Sequence, residues 1–144
     1  VPGADVRVGP AEELPFGDGE FDLVTCMGSL EHVAGPRQAV LEMRRVVRPG
    51  GRLLLVVPNS RYFMIPVVRV RQFLFPRLGQ PVERHSSLGD WRGLFEACGL
   101  AVNEVHADNR LYLPGRFLPW LHESAGRLLP LGAAYQFAFL ARPA

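Results

Sequence analysis

No lysine occurs in this 144-residue chain; all 16 of its basic residues are arginine. Against 14 acidic residues they leave a net charge of +2, too small to argue for nucleic-acid binding. A GC-rich genome supplies an arginine bias without any demand from function. Cysteine is scarce as well. Cys26 and Cys98 lie in apolar runs far apart, which excludes a disulfide framework and reads as two buried, reduced thiols of a cytoplasmic protein. Metal-ligand spacings are missing, so no metal is expected. There is no recognisable leader, and no apolar run approaches the ~18 residues that argue a membrane span. The first residue is Val rather than Met, so a fragment or processed product is expected.

What is present is the alternation of an α/β domain. Val6 and Val8 alternate with polar neighbours, so Ala4–Val8 reads as a short strand. Gly9-Pro10 and the loop 11–19, with Pro15 and Gly17-Asp18-Gly19, carry turn chemistry. Phe21–Met27 is a continuous apolar run, as in a parallel strand buried on both faces. Pro36–Arg48 places Ala39, Val40, Met43, Val46 and Val47 on one helical face, with Pro36 in the first turn and Arg44, Arg45 and Arg48 at the end. Pro49-Gly50-Gly51 stops that helix, and Arg52–Val57 is a second buried strand. Strand, helix and strand make a βαβ unit with a right-handed crossover. Further on, Ser87–Cys98 reads as a helix opened by a capping-box-like Ser87 and Asp90 and closed by Gly99. Leu100–Val105 and Tyr135–Ala141 read as strands, and Phe117–Leu129 as a short helix.

Four stretches in this order resemble a known family: "AEELPFGDGEFDLV", "SLEHV", "EMRRVVRPGGRLLLVVPN" and "WRGLFEACGLAV". They are similar to the class I S-adenosylmethionine-dependent methyltransferases, nearest to the small-molecule group called methyltransferase type 11. The resemblance covers about residues 4–108 and the last strand. It implies a Rossmann-like sheet of order 3-2-1-4-5-7-6 with the last strand antiparallel. Residues 4–8, 21–27, 52–57, 100–105 and 135–141 would then be strands 3, 4, 5, 6 and 7. Strands 1 and 2 have no counterpart, nor do the Gly-rich loop and the acidic residue that follow them. The 144 residues are therefore expected to form one partial methyltransferase domain with a substrate-side insertion or lid at 60–86. Strand 4 would keep an open edge, which invites pairing with another strand.

The resemblance also implies where the chemistry sits. The loop after strand 3 would hold the adenine of S-adenosylmethionine, where the family places an acidic residue before an Ala. Here Ala11 matches, but Pro10 stands in the acidic position and the contact is lost or moves to Glu12. The competing reading makes Glu12 and Glu13 plain solvated charges. Cys26, Met27 and Gly28 would face the methionine part of the cofactor, or form an ordinary strand-to-helix turn with Ser29 as a cap. His32, beside Glu31, and His85, beside Glu83 and Arg84, are the candidate general bases; packed structural histidines are the alternative. Tyr62, Phe63, Met64 and Phe73 suggest an apolar or lipid-like small-molecule acceptor. They also suit core packing or an interfacial segment. The function expected is methyl transfer to a small molecule as part of a longer chain. The alternatives are an inactive methyltransferase-like remnant acting as a binding module, and another nucleotide-binding α/β domain such as a dehydrogenase.

Overall fold

The computed structural model of the chain describes residues 3–62, 74, 84, 86–108 and 134–144. Four strands form one sheet: β1 (Phe21–Met27), β2 (Val47–Pro58), β3 (Leu100–Asp108) and β4 (Gln136–Pro143). Their spatial order is β1-β2-β4-β3. β1 pairs with β2 in parallel, while β4 runs antiparallel to both β2 and β3. This is the order implied for the last four strands, with the final strand in chain order the antiparallel one.

Helix α1 (Pro36–Val46) joins β1 to β2, and helix α2 (Leu88–Ala97) precedes β3. α1 follows the expected apolar spacing but stops at Val46, two residues early. The chain enters β2 at once, and the register then jumps from Phe21 opposite Val47 to Leu23 opposite Arg52. Residues 48–51 therefore bulge out of the ladder rather than forming a separate turn. Gly51 is required there, because a Cβ would lie 2.7 Å from the Val47 side chain and 2.9 Å from the Asp22 carbonyl oxygen. α2 is opened by a complete capping box. The Asp90 N–H donates to the Ser87 hydroxyl, and the Ser87 N–H donates to the Asp90 carboxylate at 2.9 Å.

Both crossovers step the same way across the sheet, so right-handed connections place α1 and α2 on the same face. The buried residues agree. Ala39, Val40 and Met43 of α1 and Trp91 and Phe95 of α2 share one core with Leu53, Leu55, Val57, Phe137 and Phe139. Phe95 meets Phe139 edge-on at 5.0 Å, and the Trp91 indole N–H donates to the Pro58 carbonyl at 3.0 Å.

Two sequence expectations fail. Phe21–Met27 is a strand, but it is not buried on both faces: Leu23 and Met27 are exposed, and only Cys26 is buried. Among the described residues no helix packs over the face they point to. Ala4–Val8 is not a strand, and Val6 and Val8 are exposed. A strand persists only with a ladder partner, and none of the four strands pairs with it. Arg7 instead holds this segment locally, bonding Asp5 and the Pro15 carbonyl and lying over the Phe16 ring.

The helix expected at 117–129 and nearly all of the 60–86 insertion lie outside the described residues. Cys26 and Cys98 are both buried and unpaired, as expected. No helix among the described residues is long and apolar enough to cross a membrane.

Candidate functional site

The carboxyl ends of β1 and β2 and the start of β4 meet at one edge of the sheet. This is the edge at which open α/β sheets bind ligands. β1 ends in a turn built around Gly28, whose φ of +61° suits a residue without a Cβ. The Gly28 N–H donates to the Val56 carbonyl at 3.0 Å, which ties the turn to the end of β2. The Ser29 hydroxyl donates to the Met27 carbonyl, so its side chain makes no cap bond to the short 3-10 helix Leu30–His32, unlike in the alternative reading of this turn. Leu30 is fully buried and anchors that helix.

Glu31 follows, only 5% exposed. Its Oε2 is buried without a hydrogen-bond partner, and its Oε1 lies 3.7 Å from Nε2 of the part-exposed His32. The Cys26 thiol next to this turn is pushed above its ordinary value, first by burial and then by the Glu31 charge. Such a thiol is a packing group rather than a nucleophile. Met27 faces the uncovered side of the sheet and is 66% exposed.

The loop of residues 9–19 is clamped against α1. Pro10 accepts from the Glu13 N–H in a tight turn, and Ala11 packs on the core. The Glu12 carboxylate accepts from the Gly35 N–H at 2.8 Å, at the residue that opens α1. Bonds from backbone N–H groups, Gly35 first, hold the Glu12 carboxyl below the usual range. Glu12 is therefore a structural tie, neither the plain solvated charge nor a side chain with no other role. A second clamp joins Glu42 and Arg45. Glu42 accepts from the Leu14 N–H at 3.0 Å, while Arg45 donates to the Leu14 and Phe16 carbonyls and to Asp18. Sequence reasoning placed Arg45 at the helix end for its dipole and missed this clamp; the signal was the i,i+3 spacing of Glu42 and Arg45.

Asn59 was also missed. It is 1% exposed at the end of β2. Its side-chain amide donates to the Ala134 carbonyl at 2.8 Å and its carbonyl accepts from the Arg61 N–H, while its backbone N–H reaches the Tyr135 carbonyl. One residue thus ties the end of β2 to the start of β4. A polar residue directly after an unbroken apolar strand was the signal. The Arg84 N–H donates to the Glu31 carbonyl, and the Arg84 guanidinium donates to the Ala34 carbonyl. The structure thus gathers Cys26, Met27, Gly28 and His32 in one turn. Glu12 reaches the same stretch through Gly35. His85 lies outside the described residues, as does its neighbour Glu83. Among the described residues no three metal-ligating side chains cluster.

The family model of a methyltransferase domain matches residues 1–55. An uncharacterised methyltransferase of Bacillus subtilis, YcgJ, is 36% identical over 117 residues, covering 78% of this chain and 43% of its own length. The chain belongs to the class I S-adenosylmethionine-dependent methyltransferases. A demethylmenaquinone methyltransferase of Mycobacterium tuberculosis is 40% identical over 77 residues, 51% of this methyltransferase chain and 33% of the relative. The chain thus spans less than half the length of these curated relatives. Among solved structures, a Thermotoga maritima methyltransferase described as a possible histamine N-methyltransferase superposes with a TM-score of 0.72. At 20% identity, over 96% of this chain and 64% of that one, this likeness shows the methyltransferase fold alone. The YcgJ structure superposes at 0.53 with 27% identity, covering 92% of this chain and 66% of that one.

Proposed function

We propose that this chain forms one rim of the cleft in an enzyme that transfers a methyl group from S-adenosylmethionine to a small-molecule acceptor. The observation that carries the reading is the Gly28 turn, at the carboxyl edge of a sheet ordered β1-β2-β4-β3. S-adenosylmethionine, when bound, supplies a methyl group on a positively charged sulfur, open to in-line displacement by an acceptor atom. The residues present fit such a group. The turn offers backbone carbonyls and the buried Glu31 carboxylate, and among the described residues the Cβ that Gly28 lacks would meet only Glu31 Oε1, at 3.8 Å.

In this reading Cys26, Met27 and Gly28 hold the methionine part through their backbone. Pro10, Ala11 and Glu12 stand at the adenine, with the Glu12–Gly35 bond fixing the loop that carries them. His32 is the base that takes the acceptor's proton, with His85 as the other candidate. Positioning two reactants in line is most of what such a displacement needs. The segment 60–86, rich in aromatic residues, is the acceptor-side insertion. It supports an apolar or lipid-like acceptor, as do relatives named as demethylmenaquinone and tocopherol O-methyltransferases. Two buried, unpaired thiols support a cytoplasmic setting. Among the described residues no strand pairs with the outer edge of β1, which supports its pairing with a further strand. Family membership favours the enzyme over an inactive binding module.

Calorimetric titration of the intact protein with S-adenosylmethionine tests the reading. Saturable binding is expected, and Gly28→Ala should weaken it about tenfold by straining a left-handed position. An intact protein that gives neither heat nor a thermal shift with this molecule overturns it.

A further inference from the structure

We propose that Glu31 is a further ligand-binding residue of this cleft, its carboxylate receiving the ammonium group on the amino-acid part of the methyl donor. The proposal rests on the methyl-transfer reading of the same site, and deepens it. Glu31 and Asn59 are the two polar residues buried among the described ones, and they differ in one respect. Asn59 uses both ends of its amide within the protein. Glu31 leaves a buried carboxylate oxygen with no partner. Burying an unpaired carboxylate oxygen opposes folding, so a fold keeps one where something else supplies the donor.

The backbone around Glu31 is fixed from both sides. Its own carbonyl accepts from the Arg84 N–H, and the His32 N–H donates to the Ser29 carbonyl. The backbone that carries the carboxylate is therefore held in place. The carboxylate also faces the right region. The other oxygen of the same carboxylate, Oε1, lies 3.7 Å from His32 Nε2 and, among the described residues, is the atom within 4 Å of the Cβ position that Gly28 leaves empty, while the Glu31 charge raises the Cys26 thiol at the end of β1. A molecule seated against Gly28 thus meets a carboxylate before any other side chain described there. Of the groups on the methyl donor, the ammonium is the one that donates three charged N–H bonds and so matches an oxygen lacking a partner.

The test compares two probes on the intact protein: S-adenosylhomocysteine, which carries the ammonium, and 5′-methylthioadenosine, which lacks the amino-acid part altogether. Glu31→Gln is expected to lose about tenfold or more in affinity for S-adenosylhomocysteine, with 5′-methylthioadenosine within about twofold of the unmutated protein. Glu31→Asp, which keeps the charge, should recover part of the loss. The thermal midpoint of ligand-free Glu31→Gln should equal or exceed that of the unmutated protein, since the charge on a buried oxygen without a partner is gone. Equal losses for both probes, no loss for either, or a Glu31→Gln protein that no longer folds would each overturn the assignment. If the unmutated protein fails to bind S-adenosylhomocysteine, the cofactor reading falls and takes this one with it. Normal binding that Glu31→Gln leaves intact removes the Glu31 proposal alone.

Discussion

The two faces of this sheet are made from alternate residues of the same strands, yet they end up in different surroundings. On β2, Leu53, Leu55 and Val57 are fully buried, while Leu54 and Val56 between them are only half-buried. On β1 the contrast is sharper: Cys26 is buried, and Leu23 and Met27 are exposed. The apolar character of the two sets is similar. What separates them is the direction of the crossovers, which puts both helices on the Leu53–Leu55–Val57 side. Burial here follows from how the chain connects its strands, not from the strand sequences.

The largest expected effect tests the covered face directly. Phe139→Ala removes a fully buried ring that contacts Phe95 and Phe137, and should cost about 3–5 kcal/mol in urea unfolding of the intact protein. Met27→Ala on the other face should stay within about 0.5 kcal/mol. Comparable costs would mean that Met27 is covered in the intact protein and that the asymmetry belongs to these residues alone. A smaller effect concerns the helix that covers the buried face. Ser87→Ala breaks the capping box of α2 and should cost about 1 kcal/mol, whereas Ser29→Ala, which loses only an exposed bond to the Met27 carbonyl, should stay within about 0.5 kcal/mol.

The smallest effect is on the clamped loop. Hydrogen bonds from Arg45 first, and from the Leu14 N–H, hold the Glu42 carboxyl below its ordinary value of about 4.3, against burial, which raises it. Glu12 is lowered too, chiefly by the Gly35 N–H. For groups lowered in the folded state, the stabilisation is fully present above the unfolded value. It is lost as pH falls through the folded one. The protection of amides at residues 12–17, corrected for intrinsic exchange, should therefore fall below about pH 4, while that of β2 and β4 does not. Unchanged protection down to about pH 3 would show that these carboxylates do not hold the loop.

The opening loop and turn at residues 11–33 illustrate what sequence could and could not tell. The turn at Gly28, the apolar run before it and the cap at Ser87 were all legible, because each is a local pattern of residue types. The clamp of Glu42 and Arg45 on the loop was not, because its partners are backbone carbonyls about thirty positions away. Nor was the second role of Glu12, whose partner Gly35 lies 23 residues on.

The sequence by itself determined the presence of α1, α2 and the four paired strands, where α1 and α2 begin, and the family to which the chain belongs. Periodicity, caps and glycine turns act over a few residues and need no distant partner. Only the tertiary structure decided that Ala4–Val8 is not a strand, that one face of the sheet is covered, and that Asn59 is satisfied while Glu31 is not. Each of those depends on what stands opposite a backbone group or side chain after folding. A strand without a ladder partner and a carboxylate without a donor read in sequence just like ones that have them.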